Sequence, residues 1–329
     1  MDFTTLWDDY RPTRLLELPA LAHRTHVGRV FVKAEGERPL GNFKILGGMV
    51  AGLRALAHAG TEPPPKLICA SDGNHGLSVA AAARRGGANA SVYLPSHASA
   101  ARAVRIEALG GEVVWVAGTY DDAVSAAAEA AARGEGLLIS DTSPNPDDPV
   151  ANDVMAGYGL LTRELIVQFR DEAHDSPTHI FVQAGVGGLA AAVADGLADV
   201  LREPKRIAVV EPEAAACVAR ALQAGRPVLI DGDLNTAAEM LAGGLASAAA
   251  LKVLQRHDVQ SVLVNEDELR SAVDVLREAS GPETTPSGAA GLAGFLHVAA
   301  RTHLREAHRL GADSSVLLIA TEGPLPIAR

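Results

Sequence analysis

The sequence predicts an α/β fold in which two lobes, each a parallel-rich sheet flanked by helices, share a cleft. Three observations support this fold class. The chain has 329 residues, which is more than one domain usually holds. Short runs rich in Val, Ile and Leu alternate with longer Ala-rich stretches of helical period. The short runs lack polar alternation, which is typical of parallel strands that are covered on both faces.

Nine strands and at least five helices are predicted from these runs. The strands are Arg29–Lys33, Lys66–Ala70, Ser91–Leu94, Glu112–Val116, Leu137–Ile139, His179–Gln183, Arg206–Glu211, Ser261–Val264 and Ser315–Ala320. The clearest helices are Asn74–Arg85, Ala98–Leu109, Asp121–Arg133, Ala151–Arg170 and Leu189–Leu201. Strands that alternate with helices in this way form parallel sheets with helical crossovers.

A Pro- and Asp-rich stretch, residues 141–149, interrupts the alternation near the middle of the chain. It is either a surface linker or a loop that lines a cleft. We place one lobe boundary at its end and another near residue 48, where the chain leaves the first strands. The predicted division is a large domain, residues 1–47 and 150–329, and a small domain, residues 48–149.

Composition excludes several classes of protein. A net charge of -11 with scattered basic residues argues against nucleic-acid binding. No apolar run reaches about 18 residues and the first residues do not read as a signal peptide, so we expect a cytoplasmic protein without membrane spans. Cys69 and Cys217 are predicted to be buried thiols. The histidines show no ligand spacing, so no metal site is predicted, and a monovalent cation is left open.

Lys44 is the first residue that could carry chemistry. It stands in residues 41–48 among Phe, Ile, Leu and several glycines, where burying an ammonium group is costly. Burial lowers the pKa of a lysine, and a neutral amine can attack an aldehyde to form a Schiff base. The alternative is a lysine whose amine extends from a helix to the surface.

A polar loop, residues 71–76, follows the predicted strand that ends at Ala70. It contains Ser71, Asp72, Asn74 and His75. Parallel sheets place ligand-binding groups at this end of a strand, and the following helix N-terminus suits an anion. Capping of the helix by Ser71 or Asp72 is the structural alternative, but it explains only one of these polar residues.

A glycine loop, residues 183–189, lies between the next strand and helix. Its three glycines allow the backbone to close around a phosphate, whose charge the helix dipole favours. The spacing is not that of a dinucleotide fingerprint, and no Walker lysine follows. A tight strand–helix turn explains the loop equally well. Thr321, at the end of the last strand, would present a hydroxyl group at the same edge of its sheet.

In this order, the segments resemble those of the fold-type II pyridoxal-phosphate enzymes, which include threonine dehydratases, cysteine synthases and the tryptophan synthase β-subunit. The resemblance covers nearly the whole chain. It implies that the large domain binds the cofactor, that the small domain lies on the substrate side and that the enzyme is a homodimer. The residues that it assigns to pyridoxal 5'-phosphate are Lys44 for the aldehyde, Asn74 for the phenolic oxygen, Gly185, Val186, Gly187, Gly188 and Leu189 for the phosphate, and Thr321 for the pyridine nitrogen.

Within this family the finer similarity is to the diaminopropionate ammonia-lyases. They have Asp-Gly-Asn-His-Gly, as residues 72–76 do here, where the dehydratases tend to have a small residue in place of Asp72. Asp141 falls where these ammonia-lyases place a second active-site acid. Two departures affect the substrate side. The chain is shorter than expected, and residues 282–287 differ from the Glu-Ser-Gly context of that group.

The resemblance implies elimination of ammonia from a small amino acid, 2,3-diaminopropionate, to give pyruvate and ammonia. Lys44 would be the base for the L-isomer, and Asp72 the base for the D-isomer or the group that binds the β-ammonium. Asp141 is the second candidate for these roles, and His75 is expected to be a structural residue of the loop. Two alternatives are a serine/threonine-type dehydratase or β-replacement synthase on the same fold, and a binding protein that has lost the chemistry.

Overall fold

A computed structural model describes residues 10–71, 73–96, 98–171 and 174–324 of the chain. Ten strands lie within these ranges. They are β1 (Leu15–Glu17), β2 (Arg29–Ala34), β3 (Leu67–Ala70), β4 (Ala90–Pro95), β5 (Gly111–Val116), β6 (Leu137–Leu138), β7 (His179–Gln183), β8 (Arg206–Pro212), β9 (Val259–Val264) and β10 (Ser315–Ala320). All nine predicted strands are present, and each end lies within two residues of its predicted position.

Twelve α-helices occur in the same ranges. They are α1 (Pro19–Thr25), α2 (Lys44–Ala59), α3 (Asn74–Arg85), α4 (Ala100–Glu107), α5 (Tyr120–Ala132), α6 (Pro149–Asp171), α7 (Gly188–Leu197), α8 (Cys217–Ala224), α9 (Ala248–Leu254), α10 (Glu266–Glu278), α11 (Pro286–Ala299) and α12 (Thr302–His308). The five predicted helices are among them, with ends that differ by up to four residues. None of the described helices combines the length and the apolar character that crossing a bilayer requires.

The strands form two sheets. A six-stranded sheet has the order β1-β2-β10-β7-β8-β9, and a four-stranded sheet has the order β5-β4-β3-β6. Every neighbouring pair is parallel except β1 and β2. The prediction of an α/β fold with two parallel-rich sheets is therefore confirmed. The sequence did not predict β1, because three residues are too few to show a period.

The six-stranded sheet separates two apolar cores. Along β10, Leu317 and Ile319 belong to one core, and Val316 and Leu318 belong to the other. Helix α11 packs on β7, β8 and β10 on one side. The core on the other side continues into the four-stranded sheet, where it includes Cys69. Both cysteines, Cys69 and Cys217, are buried free thiols, as predicted.

Helix α2 joins the two sheets by packing against α3 and α6. Glycines allow the close approach. A Cβ atom on Gly157 would lie 2.7 Å from the Cα atom of Gly47, and one on Gly48 would lie 2.6 Å from the Cβ atom of Ser78. Such contacts leave no room for a side chain, so the helix is held firmly on both neighbours. Lys44, the first residue of α2, is thereby positioned at the junction of the lobes.

The four-stranded sheet uses residues 67–138, whereas the six-stranded sheet draws its strands from both sides of that segment. The chain therefore enters the smaller lobe once and returns to the larger one. A division into residues 48–149 and the remainder is compatible with this path, and its two boundaries stay predictions. Helix α2 crosses the first boundary and α6 begins beside the second.

Candidate active site

A cleft lies where strands of both sheets end. The loops after β3, β6, β7 and β10 all reach it, as expected for a ligand site at the carboxyl ends of parallel strands. Nine of the predicted site residues line this cleft, namely Lys44, Asn74, Asp141, Gly185, Val186, Gly187, Gly188, Leu189 and Thr321. The tenth, Asp72, lies outside the described residues.

Lys44 and Asp141 form an ion pair inside the cleft. The Asp141 side chain is 5% exposed and that of Lys44 is 22% exposed. Burial alone would raise the pKa of Asp141, but the charge of Lys44 and the hydrogen bonds from Lys44 and Tyr120 hold it well below its usual range. The sequence predicted an uncharged amine among apolar neighbours. The structure corrects this expectation, because the partner of the amine is a buried carboxylate.

Tyr120, at the start of α5, supports the same carboxylate. Its hydroxyl donates to Oδ1 of Asp141 at 3.0 Å, while Lys44 occupies Oδ2. Both oxygens of Asp141 therefore have a partner, and the carboxylate is held in one orientation. The Pro- and Asp-rich stretch that begins at Asp141 thus contributes its first residue to the cleft.

The polar loop after β3 is shaped by Ser71. Its Oγ accepts hydrogen bonds from the backbone N–H groups of Gly73 and Gly76, both at 2.8 Å. Gly73 has φ +137°, a conformation that favours glycine, and the Arg102 side chain packs against it. The structural alternative, capping, is therefore right for Ser71.

Asn74, the first residue of α3, directs its side chain across the cleft. Its Nδ2 donates to Oε2 of Glu322, which follows β10 in the other lobe. Glu322 is buried, and Thr285 Oγ donates to its second carboxylate oxygen at 2.5 Å. Burial raises the pKa of Glu322, although the hydrogen bonds from Thr285 and Asn74 oppose the shift. The segment 282–287, a departure from the ammonia-lyases, therefore helps to hold the partner of Asn74.

His75 has the structural role that the sequence predicted. Its Nε2 lies 2.8 Å from the carbonyl oxygen of Ile139, which can only accept, so the hydrogen is on Nε2. Burial lowers the pKa of His75, so the ring is neutral at pH 7. The side chain ties the loop after β3 to the end of β6.

The glycine loop leads from β7 directly into α7. Gly187 has φ +100°, and a Cβ atom there would lie 3.2 Å from the Cβ atom of Ala250. A Cβ atom on Gly185 would lie 3.3 Å from the carbonyl oxygen of Met240. No side chain caps the N-terminus of α7, so its first N–H groups are available to an anion in the cleft.

Thr321 follows β10 and is buried at the edge of the cleft. Its hydroxyl oxygen lies 3.1 Å from Nε2 of Gln183, the last residue of β7. These two strands are adjacent and parallel, so their ends bring the two side chains together.

Sequence reasoning missed three residues of the site, Tyr120, Gln183 and Glu322. A signal existed for two of them, since Gln183 ends a strand and Glu322 follows one by two residues. Nothing in the sequence connects Tyr120 with Asp141. Glu211, near the end of β8, accepts from the N–H groups of Val218 and Ala219 in α8. It therefore belongs to the helix start.

The groups in the cleft fit pyridoxal phosphate. The backbone N–H groups of a loop with three glycines suit the phosphate, and the Lys44 amine suits the aldehyde. The Thr321 hydroxyl and the Asn74 amide can meet the ring nitrogen and the phenolic oxygen. Within the described ranges, no three His, Cys, Asp or Glu side chains come together as metal ligands would.

Comparison with known proteins decides the family. A family model described as pyridoxal-phosphate dependent enzyme matches residues 6–322. The chain belongs to this family. It is therefore an enzyme, its cofactor is pyridoxal 5'-phosphate, and the resemblance read from the motifs is confirmed.

Several members of the family are similar over most of the chain. The diaminopropionate ammonia-lyase of Escherichia coli K12 is 32% identical, covering 95% of this chain and 85% of that protein. A biosynthetic L-threonine dehydratase of Pasteurella multocida is also 32% identical, covering 88% of this chain and 53% of that protein. A crystal structure of the Escherichia coli ammonia lyase with an aminoacrylate-PLP azomethine reaction intermediate superposes with a TM-score of 0.90 at 30% identity, covering 99% of this chain and 88% of that one.

Proposed function

We propose that this pyridoxal-phosphate enzyme eliminates ammonia from 2,3-diaminopropionate to give pyruvate and ammonia. The observation that carries the proposal is the buried carboxylate of Asp141, which Lys44 and Tyr120 keep ionised inside the cleft. A substrate with an ammonium group on its β-carbon matches such a carboxylate through a charge-assisted hydrogen bond. The similarity to diaminopropionate ammonia-lyases over 95% of the chain supports the same substrate.

The residues present would hold the cofactor at four points. They are Lys44 for the aldehyde carbon, Asn74 for the phenolic oxygen, the N–H groups of residues 185–189 for the phosphate, and Thr321 for the ring nitrogen. When bound, pyridoxal phosphate supplies a sink for the electron pair that remains at the α-carbon after proton loss.

Lys44 would move the α-proton. Its amine, when it is not bonded to the cofactor, would be free to accept this proton at Nζ. The carboxylate of Asp141 lies against this nitrogen and stabilises the ammonium that forms.

Ammonia departs readily only if its nitrogen is protonated. Asp141 would bind the β-ammonium of the substrate and keep it charged, while the Tyr120 hydroxyl fixes the direction of the carboxylate. Asp72, which lies outside the described residues, is proposed from the resemblance alone as the base for the D-isomer or a second ligand of the β-ammonium. Hydrolysis of the released 2-aminoacrylate gives pyruvate, so one diaminopropionate and one water yield one pyruvate and two ammonia.

This stoichiometry gives a sharp test. Cofactor-loaded protein is incubated with D- and L-diaminopropionate, serine, threonine and cysteine, and keto acid and ammonia are both measured. We expect two ammonia per pyruvate from diaminopropionate, and loss of turnover in Lys44→Ala but not in the exposed control Lys252→Ala. Absence of pyruvate from both isomers would contradict the proposal.

A hydroxyamino-acid dehydratase is the second candidate, because a threonine dehydratase is also 32% identical, over 88% of this chain against 95% for the ammonia-lyase. The same assay separates the two. Threonine would give 2-oxobutyrate and serine pyruvate, each with one ammonia, and a higher kcat/KM for either than for diaminopropionate would favour the dehydratase. The sequence also led us to expect a homodimer and a cytoplasmic location, and both stay predictions. Analytical sedimentation measures the oligomeric state.

A further inference from the structure

The orientation of the Gln183 side-chain amide is set by the backbone around it. Gln183 is 2% exposed, and its Nε2 lies 3.1, 2.9 and 3.0 Å from the carbonyl oxygens of Ser287, Gly288 and Ile319. Carbonyl oxygens only accept hydrogen bonds, so the nitrogen must face them. Rotating the amide by half a turn would place its own oxygen against three others.

Helix α11 leaves this amide no room to move. A Cβ atom on Gly291 would lie 2.9 Å from Oε1 of Gln183 and 2.6 Å from the carbonyl oxygen of Phe181. The helix therefore lies directly on the side chain of Gln183. With one face covered by α11 and the nitrogen surrounded by carbonyls, the amide has a single orientation.

The fourth neighbour of this nitrogen is the Thr321 hydroxyl, at 3.1 Å. An amide nitrogen can only donate, so Thr321 Oγ is the acceptor in this contact. A hydroxyl has one hydrogen and two lone pairs. Among the described groups nothing accepts the hydrogen of Thr321, and this side chain borders the cleft. Its remaining hydrogen is therefore available to a ligand.

We propose that Gln183 is a positioning residue that makes the Thr321 hydroxyl a hydrogen-bond donor to the cofactor's ring nitrogen, and that it thereby keeps this nitrogen unprotonated. The inference rests on the role proposed above for Thr321 and does not depend on the leaving group. An unprotonated ring withdraws less electron density from the α-carbon, which favours prompt loss of a β-substituent over transfer of the amino group.

The test measures the ring nitrogen directly. The apoprotein is loaded with ¹⁵N-labelled pyridoxal phosphate, and the nitrogen resonance is recorded in the absence of substrate. We expect the wild type to show the shift of a neutral pyridine from pH 6 to pH 9. In Gln183→Glu the carboxyl oxygen that replaces Nε2 faces the same three carbonyl oxygens, so we expect it to be protonated and to donate to one of them. Its lone pair can then accept the Thr321 hydrogen, and the hydroxyl can turn and accept from a protonated ring. Its resonance should move toward that of pyridinium.

Two further variants make the outcome decisive. In a Thr321→Val background, Gln183→Glu should have no further effect on the nitrogen resonance, because the hydroxyl group that connects residue 183 with the ring nitrogen is absent. Gln183→Met, which has similar length and no donor, should make the resonance pH-dependent, and it serves if Gln183→Glu does not fold. A pyridinium shift in the wild type would overturn the proposal. The proposal would also be overturned if the Gln183 variants lowered the stability to urea and left the nitrogen resonance unchanged, since this is the result expected for a purely structural Gln183.

These results are independent of the elimination assay. The resonance is measured without substrate, so failure to release pyruvate from diaminopropionate would refute the proposed reaction and leave the role of Gln183 standing. Conversely, normal ammonia release together with an unchanged resonance in all the Gln183 variants would refute only the inference drawn here.

Discussion

Asp141→Asn should destabilise the cofactor-free protein through its effect on Lys44. Two unit charges about 3 Å apart attract by about 5–6 kcal/mol at an effective dielectric constant of 20. Withdrawing both charges from water costs several kcal/mol, and Lys44 keeps 22% exposure, so we expect a net coupling of about 1–3 kcal/mol. Because the folded-state pKa of Asp141 lies below the unfolded value, this coupling is present above about pH 4 and is lost in acid.

A double-mutant cycle with Lys44→Met and Asp141→Asn isolates the coupling. Urea unfolding of the four cofactor-free proteins at pH 7 gives the free energies. The chain offers a matched control in the ion pair of Lys252 and Asp147, whose side chains are 54% and 73% exposed. We expect that pair to contribute less than about 1 kcal/mol. A Lys44–Asp141 coupling no larger than the control would refute the assignment of a buried, charged pair to the cleft.

Three further predictions concern the surroundings of the cleft. Glu322→Gln, which loses one acceptor for Asn74 or Thr285, should weaken cofactor affinity about 5- to 10-fold in spectroscopic titration, and the exposed control Glu283→Gln should not. Burial raises the pKa of Glu211 to about 8, so the folded state binds the proton more tightly than the unfolded state does. In urea unfolding, the wild type should therefore lose a few kcal/mol of stability as the pH rises from 4.5 to 8, and Glu211→Gln should lose much less. Equal slopes of stability against pH in the two proteins would contradict this. Gly187→Ala should weaken cofactor binding at least 10-fold by titration, since φ +100° strains alanine, whereas Gly159→Ala in α6, with open space around it, should bind normally.

The fold was largely predictable because its strands are buried on both faces. Such strands are nearly continuous apolar runs, and the helices between them are long enough to show their own period. Strand β1 escaped prediction because it is short and pairs at an edge. Helix ends were less well placed than strand ends, as at α7, which ends at Leu197 rather than Leu201.

The site was predictable wherever one segment carries the whole signal. The loop after β3, the glycine loop and Lys44 can each be recognised from a few consecutive residues, because backbone shape and local polarity depend on residues that are adjacent in the chain. Contacts between residues that lie far apart in the chain could not be recognised in this way. Tyr120 and Asp141 are 21 residues apart, and Asn74 and Glu322 are 248 apart.

The sequence by itself determined the order of strands and helices, the loops that reach the cleft and, through its motifs, the cofactor. Only the tertiary structure decided which polar groups face one another there. It paired Lys44 with a carboxylate, where the local sequence suggested an apolar setting, and it turned the Gln183 amide toward Thr321. The physical reason is that hydrogen-bond partners and charges depend on distances between segments, which are set when the two sheets and α2 pack together and not by the residues adjacent in the chain.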